Sequence, residues 1–442
     1  MPNRVYMHFD DFIAENQQQD THICYGDDVT SLREECVIGS KHFSNRLVCQ
    51  PMEGCDGTYT GEPDVLTRRR YERFAKGGAG IIWYEATAVL PEGRANPRQL
   101  YINEGNVDAF ARHVEEIRKT ALRENGYEPK IFMQATHSGR YAKPEGVPEP
   151  LIAYNDPIFE KDQPIPASRI VTDDYLDLVK EKLIQGARLA EKAGFDGVDI
   201  KCCHRYLNSE LLSAYNRAGK YGGCFENRTR LLVEAVQGAI QSTGSGFLVT
   251  SRLNVYDGFP YPYGFGVRTD GSTEFDPTEP IRLIRALYAC GVRLLNISMG
   301  NPYFNPHVNR PYARGAYEAP EHPLAGVSRM LNGTAELKKA VPEMKLVCSA
   351  LSFLGVAAPR VAAGYIKQEK FDFAGFGRTA LAYPDFARDI LQKGEMDGAK
   401  CCVCCSKCTQ IMRQKGGTPG CVVRDGAMYA PVYKKFCGGN AS

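Results

Sequence analysis

Residues Thr172 to Ile200 read TDDYLDLVKEKLIQGARLAEKAGFDGVDI, and this stretch decides the fold. Leu176, Val179, Leu183, Ala187 and Ala190 recur at helical spacing and form one apolar stripe. Thr172 or Asp173 can cap the helix, and Gly194 ends it. Two residues later comes Gly197–Ile200, an apolar run of strand length. A helix that feeds directly into a strand is one unit of a βα repeat. The unit recurs in both directions, with further short apolar runs at Arg46–Gln50, Gly80–Tyr84, Lys130–Gln134, Phe247–Leu253, Leu294–Ile297, Leu346–Ser349 and Phe373–Phe376. Eight such runs with helical stretches between them predict an α/β fold, a closed (β/α)8 TIM barrel with its active-site groups at the C-terminal ends of the strands. The rival is an open doubly wound sheet, weakened by the lack of a strand–GxGxxG–helix unit.

Composition bounds the rest. A chain of 442 residues can bury one large core or two ordinary ones, and 43% hydrophobic with 24% charged content is that of a soluble globular protein. Lys+Arg of 54 against Asp+Glu of 52 gives a net charge of +2, which does not point to nucleic acid or an anionic membrane. Apolar runs such as Ala79–Trp83 are far short of a membrane span. The polar, acidic N-terminus (Asp10, Asp11, Glu15) lacks the layout of a secretion signal, so a cytoplasmic location is expected. Residues 1–42 read as a polar, irregular arm, 43–394 as the barrel and 395–442 as a cysteine-rich segment.

Of the sixteen cysteines, six fall between Cys401 and Cys421. A disulfide framework would spread its cysteines through the fold, so this grouping reads as a metal site. The scattered Cys24, Cys36, Cys49, Cys55, Cys224, Cys290, Cys348 and Cys437 read as small buried hydrophobes. Within Cys401-Cys-Val-Cys-Cys-Ser-Lys-Cys408, the set Cys402, Cys405, Cys408 and Cys421 is spaced C-x2-C-x2-C-x12-C. A second set, Cys401, Cys404, Cys408 and Cys421, stays open. Four thiolates suit an iron–sulfur cluster or a structural zinc.

Six runs carry a resemblance: Ser44-Asn-Arg-Leu-Val-Cys-Gln-Pro-Met52, Arg73-Phe-Ala-Lys-Gly-Gly-Ala-Gly80, Glu85-Ala-Thr-Ala-Val-Leu-Pro-Glu-Gly-Arg94, Gln134 with His137-Ser-Gly-Arg140, Tyr221-Gly-Gly-Cys-Phe-Glu-Asn-Arg228, and Gly375-Phe-Gly-Arg378. In this order they resemble the old yellow enzyme family, in particular its bacterial branch of dienoyl-CoA reductases and trimethylamine dehydrogenase. The resemblance implies FMN. Pro51, Met52 and Glu53 would lie along one ring edge, Gln134 would reach the pyrimidine side, and Arg252 would stand near N1 and O2. Taken alone, Arg252 reads as an ordinary salt-bridge arginine. Ser349, Ala350, Gly377 and Arg378, after the last two strands, fall where barrels bind phosphate. A Gly-Gly pair is common in the family where this chain has Ala350-Leu351. The resemblance also favours the Cys402, Cys405, Cys408, Cys421 set as ligands of a [4Fe–4S] cluster.

Lys201-Cys-Cys-His-Arg-Tyr-Leu207 ends the fourth predicted strand. By resemblance, Lys201 and His204 occupy positions that hold a substrate carbonyl oxygen, and Tyr206 matches a proton-donating tyrosine. Lys201 is unusual there, and Arg205 replaces a small residue. The loop Gly300-Asn-Pro-Tyr-Phe-Asn-Pro-His-Val-Asn-Arg310 offers Tyr303 and His307 as substrate-binding groups. The expectation is an ene-reductase that passes hydride from reduced FMN to an α,β-unsaturated carbonyl compound. The chain stops 21 residues after Cys421, before the nucleotide-binding domains of those relatives. An external electron donor is therefore expected: a ferredoxin, a flavodoxin or a separate NAD(P)H-dependent flavoprotein. The alternatives are an amine dehydrogenase or demethylase, against which the Lys201 cation counts, and an electron-transfer subunit without its own substrate. The alkene and the oligomeric state, a homo-oligomer included, stay open.

Overall fold

The computed structural model describes residues 5–161 and 163–438. Its ten strands are β1 (Cys36–Ile38), β2 (Lys41–Phe43), β3 (Leu47–Cys49), β4 (Ile81–Ala88), β5 (Lys130–Thr136), β6 (Gly197–Ile200), β7 (Leu248–Asn254), β8 (Leu294–Ser298), β9 (Lys345–Cys348) and β10 (Phe373–Phe376). Strands β3 to β10 form a closed barrel in chain order, with β10 pairing parallel to β3 through Ala374 and Leu47. The predicted (β/α)8 barrel is therefore the fold. Each expected run falls on one barrel strand, and the largest difference is in β4, which continues to Ala88.

The deciding stretch folds as its pattern dictates. The helix Asp173–Lys192 is capped by the Thr172 hydroxyl, which accepts from the Tyr175 amide at 3.1 Å. Its stripe Leu176, Val179, Leu183, Ala187 and Ala190 is buried. Gly194 takes a left-handed φ of 82° and turns the chain into β6.

The floor of the barrel is a small antiparallel hairpin, β1 with β2, inside the segment expected to be irregular. Phe43 sits between Phe132, 6.4 Å away and nearly parallel, and Phe373, 5.5 Å away. Cys36, Ile38 and Phe43 join Val48, Trp83 and Phe132 in one buried cluster. The same segment contains the helix Phe9–Gln18, whose buried contact is Phe12. Phe9 and Ile13, which with Phe12 stand at helical spacing, pack against the same core. At the other end, the helices Lys407–Arg413 and Gly426–Cys437 follow the cysteine run. Asp425 ties them to the barrel through Arg69 (2.7 Å) and Arg73 (2.6 Å). No helix among the described residues is long and apolar enough to cross a membrane.

Candidate active site

The C-terminal ends of the strands surround a cleft. Pro51, Met52 and Glu53 reach it from the loop after β3, Gln134 from β5, and Arg252 from β7. Ser349 and Ala350 follow β9, and Gly377 and Arg378 follow β10. The structure thus brings every residue assigned to the flavin onto one wall system. Gln50, at the end of β3, is locked to Asn296 (2.7 Å) and Ser349 (3.0 Å), and a side chain at Gly375 would collide with its amide. Gln134 donates to Asp199 at 2.6 Å, and the Trp83 indole N–H holds the same carboxylate at 2.8 Å.

Three arginines on this cleft have no carboxylate partner among the described residues. Arg252 is buried, and its Nε finds no partner among the described residues. Burial pushes its pKa down, with Cys203 and Asp199 opposing weakly. Arg378 donates to the Pro311 carbonyl at 2.7 Å while its Nη1 finds no partner among the described residues, and the half-buried Arg310 reaches the Ser406 hydroxyl at 3.3 Å while its Nε finds none among them. Burial and the neighbouring Arg378 push Arg310 down to about 10. A buried cation without a partner is costly, and an anion relieves it. Arg310 and Arg378 would hold the phosphate of FMN, and Arg252 would face the anionic edge of a reduced flavin. Arg310 was missed from the sequence, although it closes the loop quoted above. Ala350 takes a left-handed φ of 69°, the conformation that makes Gly common there.

The loop after β6 reverses sharply because His204 and Arg205 both adopt left-handed φ, 65° and 60°. This turn sends Lys201, His204 and Tyr206 into the cleft and Arg205 out of it. Arg205 is fully buried behind the loop, ion-paired to Asp156 and to Asp257 (3.1 Å), and hydrogen-bonded to Ser213 (2.6 Å). Its expected catalytic role is corrected: no group of Arg205 faces the cleft, because two carboxylates from distant loops hold it in place.

The Tyr206 hydroxyl donates to Glu53 Oε1 at 3.0 Å and lies 2.9 Å from the Tyr303 hydroxyl. Lys201 Nζ is 3.3 Å from the same Glu53 oxygen and 3.6 Å from the centre of the Tyr206 ring. Glu53 is therefore more than a ring-edge residue, since it fixes both Lys201 and Tyr206. His204 Nε2 lies 3.2 Å from the Ser298 hydroxyl. Burial, then Arg252 and Lys201, push His204 well below the usual histidine range, so it is neutral. Burial and Glu53 push Tyr206 well above the usual tyrosine range, so it keeps its proton. Tyr303 lines the cleft. His307 does not, which corrects its assignment: the turn Pro306–Asn309 points it at the Tyr317 hydroxyl, 2.6 Å away.

Beside the cleft, Cys402, Cys405, Cys408 and Cys421 line one small cavity, together with Arg378. Cys408 belongs to the walls of both spaces. Cys401 and Cys404 do not line the small cavity; the Cys404 thiol lies 3.5 Å from the Ser352 carbonyl. Backbone N–H groups of Cys404 and Arg424 donate to the sulfurs of Cys402 (3.4 Å) and Cys421 (3.3 Å). Among the described residues, no three Cys, His, Asp or Glu side chains converge closely enough to hold a single metal ion.

A parallel barrel with arginines on a cleft at its C-terminal mouth is the architecture of barrel enzymes that take a phosphate-bearing ligand. Residues 34–396 match the NADH:flavin oxidoreductase / NADH oxidase family, and the chain belongs to that family, whose flavin is FMN. It is 26% identical over 389 residues to an NADH oxidase of Thermoanaerobacter brockii, covering 85% of this chain and 52% of the relative. It is 32% identical over 207 residues to an NADPH dehydrogenase of Clostridium acetobutylicum, covering 46% and 58%. The chain thus spans between half and three fifths of the length of these relatives. Among solved structures, a 2-naphthoyl-CoA reductase in complex with 2-naphthoyl-CoA superposes with a TM-score of 0.71 at 20% identity, covering 89% of this chain and 57% of that one. An old yellow enzyme homologue from Zymomonas mobilis gives 0.62 at 22% identity, covering 82% and 93%. These two likenesses speak for the fold.

Proposed function

We propose that the protein is an FMN-dependent ene-reductase acting on an α,β-unsaturated carbonyl compound. The observation that carries the reading is the meeting of Lys201, His204 and Tyr206 on one cleft with the unpaired Arg252. When bound and reduced, FMN supplies a hydride to the β-carbon of an activated alkene. Negative charge then grows on the substrate carbonyl oxygen, where the Lys201 ammonium and the neutral His204 imidazole stabilise it. Tyr206, kept protonated by its surroundings, delivers a proton to the α-carbon. Glu53 positions both Lys201 and Tyr206. Cys402, Cys405, Cys408 and Cys421 would hold a [4Fe–4S] cluster. It would be fed by a separate ferredoxin, flavodoxin or NAD(P)H-dependent flavoprotein. The sharing of Cys408 by both cavities supports a route from cluster to flavin.

The test is anaerobic stopped-flow mixing of the reduced enzyme with a panel of enones, enoates and amines. Flavin reoxidation by an enone or enoate is expected. His204→Ala should slow it by roughly two to three orders of magnitude, and Tyr206→Phe by roughly 10²-fold. Wild-type rates in both variants would sink the assignment, and turnover of amines alone would turn it to amine oxidation. The purified protein should carry about four irons per chain. Cys405→Ala should lose them while Cys404→Ala keeps most, and stoichiometric zinc without iron overturns the cluster.

A further inference from the structure

A second cavity opens beside the cleft and shares Glu53, Tyr303 and Met412 with it. One of its walls is the loop after β5, with Tyr141, Lys143 and Gly146. The opposite wall is the end of the helix Lys407–Arg413 and the residues after it, with Arg413 and Lys415. The two walls touch: a side-chain carbon at Gly146 would lie 3.2 Å from Lys415 Cε. The cysteine-rich segment therefore builds half of this annex.

Its charge is one-sided. Lys143, Arg413 and Lys415 line it, and the single carboxylate on its described walls is Glu53. Glu53 is already taken by Lys201 and the Tyr206 hydroxyl. The Arg413 guanidinium donates to the neutral Pro302 carbonyl at 2.9 Å, which leaves its charge uncompensated. Like charges gathered round one partly enclosed space raise its potential and draw an anion in. Between cleft and annex, Tyr303 stacks on Tyr141 with ring centres 3.9 Å apart, a flat aromatic divider along which a conjugated molecule can lie.

We propose that the substrate carries an anionic group on a tail, and that Lys143, Arg413 and Lys415 receive that group in the annex while the alkene lies in the cleft. This rests on the ene-reductase reading for the reacting end of the molecule. Carboxylate and phosphate share the required chemistry, since a guanidinium fork pairs with either and ammonium groups add point charge.

The experiment uses the FMN-loaded enzyme and three matched enones: one with a terminal carboxylate on its tail, its methyl ester, and the corresponding phosphate monoester. The anionic compounds should show kcat/KM at least roughly tenfold above the ester, the effect of one charge-assisted contact. The larger of the two anionic values identifies the source. The preference should shrink as salt rises. In the triple variant Lys143→Gln, Arg413→Gln, Lys415→Gln the acid-to-ester ratio should fall toward one. The saturated counterparts, titrated against the flavin absorbance of the oxidised enzyme, should show the same preference in binding. An ester that matches both anions in the wild type overturns the proposal, as does a preference that survives in the triple variant. If no enone turns over, the ene-reductase reading fails, and the binding titration still decides whether the annex selects anions.

Discussion

Arg205 and Arg252 are both buried arginines near the ends of neighbouring strands, and they have opposite surroundings. Behind the β6 loop, burial works against the charge of Arg205, but Tyr154, Asp257 and Asp156 overcome it and push its pKa up. In front of the loop, burial wins at Arg252 and pushes the pKa down. A buried arginine that has its carboxylates belongs to the architecture. One without them, on a cleft, is complete when a ligand brings the negative charge. The half-buried Arg310 is pushed down like Arg252, whereas at Arg378 the cysteines Cys404, Cys402, Cys408 and Cys405 outweigh burial and push the pKa up.

The largest effect should come from breaking the paired side. Arg205→Met leaves Asp156 and Asp257 facing each other without a cation and should cost about 3–5 kcal/mol of stability in chemical denaturation. A variant as stable as the wild type would remove the architectural half of the contrast. Arg252→Met should behave in the opposite sense: the apoprotein keeps its stability, while FMN affinity, followed by quenching of flavin fluorescence, falls roughly ten- to a hundredfold. Lost stability with unchanged affinity would reverse the assignment. Arg310→Met and Arg378→Met sharpen the contrast by position. Each should cut the preference for FMN over riboflavin by roughly tenfold, because only FMN has the phosphate, and equal weakening for both flavins would place them elsewhere.

The smallest effect comes from buried groups that meet the same problem by giving up charge. Burial pushes His137 down to about 4 and His113 down to about 3. His137 Nε2 lies 2.9 Å from the Tyr175 hydroxyl, and His113 Nδ1 lies 2.8 Å from that of Tyr84. Both are neutral when folded and titrate near 6.5 when unfolded, so the unfolded chain binds more protons below that pH. Their contribution is fully present above about pH 6.5 and is lost as the pH falls toward 4 and 3. The Tm should therefore drop between pH 7 and 5, and His137→Asn should flatten the slope.

The barrel was legible because each of its strands is a short apolar run with its own helix. The hairpin was not: in Lys41–Phe43 only Phe43 is buried, and three-residue strands leave no alternation to read. Candidate flavin residues such as Gln134 and Arg252 could be named from strand ends and family order. Whether an arginine is paired could not, because Asp156 and Asp257 come from loops far from Arg205 in sequence. The same distance hid Glu53's contacts with Lys201 and Tyr206. His307 failed as a candidate because a single helical turn decides which way it points.

The hairpin floor also bears on how the chain reaches this structure. Phe43 is made early, yet the cluster that buries it includes Phe373 of the last strand. The ring itself closes between Leu47 and Ala374. Contacts of such separation must pay their loop-closure entropy before they return any stability, so their formation is slow. Phe43 therefore cannot complete its packing until Phe373 has been made. Refolding should accordingly show late quenching of Trp83, which stacks on Phe132 in that floor, after most of the helical signal has returned.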